Sequence, residues 1–114
     1  MARSRKRKVI RAGNITLDLR ARLAINGTGP IPLTPQECKL LAVLMQHPEE
    51  TLTRDFLMRT AWDWDITTPE QARTLEVHIC WLRRKLEHDP RRPVLIHTVR
   101  GTGYRFAPTS TTTP

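Results

Sequence analysis

The residues best suited to chemistry lie between Arg73 and Lys85. At about 100° per residue, Ala72, Leu75, Ile79, Leu82 and Leu86 fall within about 80° of one another, a single apolar helix stripe. The opposite side then carries Arg73, Thr74, Val77, Trp81, Arg84 and Lys85, with His78 and Cys80 on its flanks. A solvated helix face ordinarily shows Glu, Lys and Gln. This one mixes guanidinium groups and a hydroxyl with an apolar Val and an indole. Such a set can hold phosphates, touch base edges and cover thymine methyls in a major groove. The Val77/Trp81 pair equally fits a patch for a protein partner. Further along, Arg100-Gly101-Thr102-Gly103 reads as a tight tip between two strands. An Arg at such a tip can enter a minor groove and sense its width, while the glycines alone signal turn geometry.

Other chemistries find no support. Cys38 and Cys80 stand apart with no C-x-x-C, and His78-x-Cys80 cannot put two ligands on one helix face. G-x-S-x-G, phosphate-loop, paired-carboxylate and H-E-x-x-H patterns are missing. The sequence therefore predicts no metal, no cofactor and no enzymatic activity. Asp63 and Asp65 flank Trp64 in a polar stretch, which reads either as a solvated loop or as a protein contact.

The elements that must position these residues follow from periodicity and punctuation. Alternation at Ile15, Leu17 and at Leu23, Ile25, with turn signals Asn26-Gly27 and Gly29-Pro30, predicts an antiparallel sheet of three or four strands before Leu33. Thr34-Pro35-Gln36-Glu37 then opens a helix: Thr34 caps, Pro35 suits the first turn, and Glu37 closes a capping box. Leu40, Leu41, Leu44 and Met45 form its buried face, and Pro48 ends it at His47. Thr53 starts a second helix, 54–62, with Phe56, Leu57 and Ala61 expected inward. The third helix runs from about Glu70 to Glu87 and is stopped by Asp89-Pro90. Strands at 94–99 and 104–107 close the pattern as a hairpin. The expected architecture is α+β: a winged helix-turn-helix with an N-terminal antiparallel sheet, three helices and a C-terminal β-hairpin wing. Residues 1–8 are expected to form a basic flexible arm or linker remnant, 9–107 the domain, and 108–114 a disordered tail.

Charge narrows the function. Of 114 residues, 19 are Lys or Arg and 11 Asp or Glu, a formal charge of +8. The bases are concentrated in 1–11 and 73–105, around a mildly acidic middle. That is the footprint of a polyanion binder. Composition alone leaves DNA, RNA and an anionic membrane surface open. No apolar run approaches the roughly 20 residues of a bilayer span. Met1 to Lys8 is not followed by the apolar stretch of a secretory signal. A reduced, cytoplasmic protein is expected.

Taken together, several runs resemble one family. They are Gly13…Leu17-Asp18, Leu33-Thr34-x-x-Glu37-x-x-Leu40-Leu41, and Pro48 with Arg54-x-x-Leu57 leading to Trp62. Arg73-Thr74-Leu75-Glu76-Val77-His78-Ile79, Leu82-Arg83-x-Lys85-Leu86 and the run TVRGTGYRF from Thr98 to Phe106 complete the match. The chain resembles the OmpR/PhoB-type winged helix-turn-helix, the DNA-binding output domain of two-component response regulators. The resemblance implies a third helix in the major groove and Arg100 in the adjacent minor groove. It implies phosphate contacts at Trp62, Arg73, Thr74, His78, Arg83, Thr98 and Tyr104. It assigns the 62–72 segment, here with Asp63, Trp64, Asp65 and Glu70, to RNA polymerase. It also implies head-to-tail dimers on direct repeats. Two departures stand out: Cys80 and Trp81 occupy positions that are often basic or polar in the family, and these 114 residues include no phosphoacceptor receiver domain, as expected either of a fragment of a longer regulator or of a stand-alone output domain. The reading of a different class is a basic adaptor that binds RNA or a protein through the Val77/Trp81 face.

Overall fold

In the computed structural model, residues 9–27, 29–65 and 67–108 are described. The basic arm and residues 109–114 lie outside them. Strands β1 (Val9–Ala12), β2 (Ile15–Asp18), β3 (Leu23–Ile25) and β4 (Pro30–Pro32) pair in sequence order as a four-stranded antiparallel meander. Ile15 pairs with Ala12, and Leu17 with both Ile10 and Ala24. The alternation of Ile15 and Leu17 thus faces both fully buried side chains toward the helices. Gly13, between β1 and β2, has φ +60°, and a Cβ there would collide with the backbone of Pro108. Pro108 is itself buried, so ordered packing reaches one residue beyond the expected end of the domain.

Helix α1 (Pro35–Gln46) begins as its sequence requires. Thr34 Oγ1 accepts from the Glu37 N–H at 3.1 Å, and Glu37 Oε1 accepts from the Thr34 N–H at 2.8 Å. The same Oε1 pairs with Lys85 Nζ at 2.6 Å, and Lys85 also donates to the Pro32 carbonyl. Glu37 is buried, so this one carboxylate caps α1 and ties the far end of the third helix to it. Lys85 therefore does not belong to the free outer face where the helical projection placed it. The N-terminus of α1 packs along that flank and takes the ammonium.

Strand β5 (Thr51–Thr53) was not foreseen from the periodicity. It pairs with β7 (Gly103–Phe106), which pairs in turn with β6 (Ile96–Val99). The wing is consequently part of a three-stranded sheet and not an isolated hairpin, which matters because two strands alone are marginally stable in water. Thr53 ends β5 and also caps α2 (Arg54–Trp62), accepting from the Phe56 N–H at 3.0 Å. In α2 the inward residues are Leu57, Met58 and Ala61. Phe56 corrects the expectation: it is among the exposed large hydrophobics and meets the His47 ring edge-on instead of the core.

Helix α3 (Pro69–Leu86) opens on a second capping box, Thr68 with Gln71. Leu75, Ile79, Leu82 and Leu86 are buried, and Ala72 is half-buried. Its C-terminal turns are clamped by four polar side chains. Asn26 Nδ2 donates to the Leu86 carbonyl, and Lys85 reaches α1. Arg83 donates to the Ile96 carbonyl. Glu87 is buried and accepts from the backbone N–H groups of Val94, Leu95 and Ile96. Both sheets therefore fix the axis and rotation of α3, and with them the face it turns outward.

Candidate nucleic-acid interface

Glu70, Arg73, Thr74, Val77, His78 and Trp81 line one shallow open depression on the outer side of α3. Val77 and Trp81, one helical turn apart, are 38% and 40% exposed, although both are large and apolar. Arg73, Arg84 and Cys80 are exposed on the same helix. Thr74 donates its hydroxyl to the Glu70 carbonyl at 3.1 Å. His78 Nδ1 lies 2.9 Å from the Thr74 carbonyl, a bond that requires the proton on Nδ1. Arg73, Thr74, Val77, His78 and Trp81 are thus brought together on one face, and Glu70, expected with the 62–72 segment, joins them in the depression from the first turn of α3.

An aromatic chain runs beneath and beside this face. Trp64 stacks on Trp62 with ring centroids 5.3 Å apart and planes 21° apart. Trp62 meets His78 edge-on at 5.1 Å, and His78 meets Trp81 at 4.9 Å. Trp62 and Trp64 are half-buried and packed on the core. Trp64 is therefore folded back onto α2 rather than standing free in the loop. Asp63 and Asp65 are exposed, with Asp63 taking a left-handed φ of 59° as the C-cap of α2. Farther along the loop, Thr67 donates to Asp55, which also pairs with Arg59.

Arg83, Thr98 and Tyr104 form a second group. The Arg83 guanidinium donates to the Ile96 carbonyl and to Thr98 Oγ1 at 2.8 Å, and lies 5.9 Å from the Tyr104 ring centroid. Arg54, at the start of α2, stands over the same ring at 5.5 Å. Tyr104 is buried, and burial pushes its phenol above the usual value of 10.0, with the Arg54 and Arg83 charges acting in the opposite direction. It stays a neutral hydroxyl at physiological pH. Two guanidinium groups over one buried ring make a fixed positive edge where α2, α3 and the wing sheet meet. Nothing in the sequence around Arg54 signals this place; only the β5/β7 strand register brings it to Tyr104.

At the wing tip, the Thr102 N–H donates to the Val99 carbonyl at 2.9 Å, and Gly101 takes the left-handed φ of +76° that the turn requires. Arg100 precedes it, exposed. Gly103 has a different duty. It faces Thr53 across the β5/β7 pair, and a Cβ there would collide with the Leu52 backbone. Among the described residues, no three His, Cys, Asp or Glu side chains gather as a metal site, and no helix is long and apolar enough to cross a membrane. Cys38 is buried, and burial raises its thiol above the usual 9.0.

A four-stranded sheet leading into three helices, with a basic third helix beside a stranded wing, defines a winged helix-turn-helix. The family model "Transcriptional regulatory protein, C terminal" matches residues 28–106. The chain belongs to this family, the OmpR/PhoB-type C-terminal domain. It is 37% identical over 100 residues to the phosphate regulon transcriptional regulatory protein PhoB of Klebsiella pneumoniae, covering 88% of this chain and 42% of that protein. It is 35% identical over 101 residues to the DNA-binding response regulator MtrA of Mycolicibacterium smegmatis, covering 89% and 43%. The chain thus spans less than half the length of these relatives. In structure it is similar to the DNA-binding domain of Klebsiella pneumoniae RstA, solved in complex with the RstA box. There the TM-score is 0.77 at 31% identity, over 90% of this chain and 99% of that one. The DNA-binding domain of Escherichia coli CpxR gives a TM-score of 0.72 at 26% identity, over 88% and 96% of the two chains.

Proposed function

We propose that this domain binds double-stranded DNA sequence-specifically and regulates transcription as the output domain of a response regulator. The observation that carries the reading is the outer face of α3: exposed Arg73 and Arg84 bracket Thr74, Val77 and Trp81 on a helix held by four polar clamps. A helix of about 10–12 Å diameter fits the roughly 12 Å width of a B-DNA major groove. With α3 so placed, Arg54, Arg83, Thr98 and Tyr104 form the edge that meets the phosphates, and Arg100 enters the minor groove. The loop of Asp63, Trp64 and Asp65, with Glu70, is the surface for RNA polymerase, and copies bind head to tail on direct repeats in the cytoplasm. No step of this requires catalysis or a cofactor.

Selection of bound duplexes from a random pool tests the proposal. The expected product is a motif repeated in one orientation, with a fixed spacing. Enrichment of no duplex sequence, or capture of structured RNA in its place, would overturn it in favour of the adaptor reading. Within the enriched site, Arg100→Ala is expected to weaken binding by about 1–3 kcal/mol, the size of one good groove contact. The loss should be greatest where A·T-rich flanks narrow the minor groove. Equal losses on A·T and G·C flanks would mean that Arg100 touches backbone only.

A further inference from the structure

Trp81 is an odd residue for a groove-facing position, because an indole offers one N–H donor and no fork for a guanine edge. It is nevertheless held, not loose. His78 bridges it to Trp62 through centroid distances of 4.9 and 5.1 Å, and Trp62 stacks on Trp64. His78 is in turn fixed by its bond to the Thr74 carbonyl. Resting on the DNA-binding reading above, we propose that Trp81 is a specificity-determining residue. Its ring, with Val77, makes an apolar shelf that selects thymine by its C5 methyl, and His78 and Trp62 are the positioning residues that set the ring's angle.

Three observations support this occupant. Val77 and Trp81 are exposed on the same face of α3 and line the same depression as Thr74 and Arg73. Exposed Arg73 and Arg84 lie on that helix too, in a chain of formal charge +8, which is the electrostatic footprint of a polyanion partner. The aromatic chain roots the ring in the core, so little side-chain freedom is lost when it closes over a base. Of the four bases only thymine presents a methyl in the major groove, so an apolar shelf discriminates there without a hydrogen bond.

The test changes the DNA before the protein. Each thymine of the selected duplex is replaced singly by deoxyuridine, which removes the methyl and keeps the pairing. Wild-type affinity is measured by fluorescence anisotropy. At one or two positions, loss of the methyl should weaken binding about fourfold, the equivalent of about 0.8 kcal/mol for one buried methyl-sized group. Trp81→Ala should bind the thymine and deoxyuridine duplexes alike at one of those positions. His78→Ala should shrink the thymine preference there although Trp81 is still present, and His78→Phe should restore it. A purely structural role for His78 would lower all affinities without changing the ratio. The inference is overturned if Trp81→Ala keeps the wild-type ratio at every thymine, or if no position responds to deoxyuridine. Failure of the wild type to select any duplex would instead overturn the DNA-binding reading itself.

Discussion

Glu87→Leu is expected to cost about 3–5 kcal/mol of folding stability. The carboxylate is 6% exposed and accepts from the N–H groups of Val94, Leu95 and Ile96 at 2.8 to 3.1 Å. Leucine fills similar space but accepts nothing, and each buried donor left unsatisfied costs roughly 1–3 kcal/mol. Ile96 is fully buried, so water cannot replace its partner; Val94 is largely exposed and recovers part of its loss. Thermal unfolding should show a melting point lower by more than about 12 °C, from about 4–8 °C per kcal/mol for a domain of this size. Glu87→Gln keeps one carbonyl acceptor and should lose about half as much. A Leu variant within about 1 kcal/mol of wild type would mean that Glu87 does not hold β6 to the end of α3.

Gly103→Ala should destabilise the domain by about 3 kcal/mol, the upper end of the usual range for overpacking. The added methyl would meet the Leu52 carbonyl and the Thr53 Cα, both backbone atoms. Neither can rotate away, so β5 and β7 must separate. That shift passes into α2, because Thr53 is its cap and the Arg54 N–H bonds to the Thr102 carbonyl. Gly101→Ala is the matched comparison. Its Cβ would find open space and only the φ of +76° would be strained, at about 1–2 kcal/mol. Denaturant melts of the two variants should rank Gly103→Ala as the more damaged. The reverse order would show that turn conformation, not strand approach, governs the wing.

The parts of the fold that were legible in the sequence are those specified locally. Thr34 with Glu37 and the 3.6-residue spacing of Leu75, Ile79, Leu82 and Leu86 act within a few residues, and helices formed where they predict. Strand β5 was not legible because three residues, Thr51-Leu52-Thr53, have no period of their own. They become a strand only by pairing with β7, about fifty residues later. Phe56 was misjudged for a related reason. A nine-residue helix buries only the face its neighbours cover, and Met58 took the inward place.

The site shows the same division. Arg73, Thr74, Val77, His78 and Trp81 were readable as one face because they share one helix. The duties of Arg83, Lys85 and Glu87 were not, since a charged side chain looks solvated until its partner is known. Their partners are Ile96 and Thr98, Glu37, and three backbone groups of the 94–96 segment. These long-range polar clamps hold the α3 face still. Preorganisation of that kind lowers the ordering cost of binding and sharpens discrimination between similar sites.

The most direct measurement is a set of titrations with the whole chain on three labelled nucleic acids of equal length. They are the selected direct-repeat duplex, a scrambled duplex and a structured RNA, each followed by anisotropy across a salt series. The direct-repeat duplex should bind at least about a thousandfold tighter than the scrambled one at physiological salt. All three affinities should fall steeply with salt, by about 0.9 in the log–log slope for each phosphate contact on B-DNA. Equal affinity for all three would contradict sequence-specific recognition by α3 and leave a basic surface that binds any polyanion.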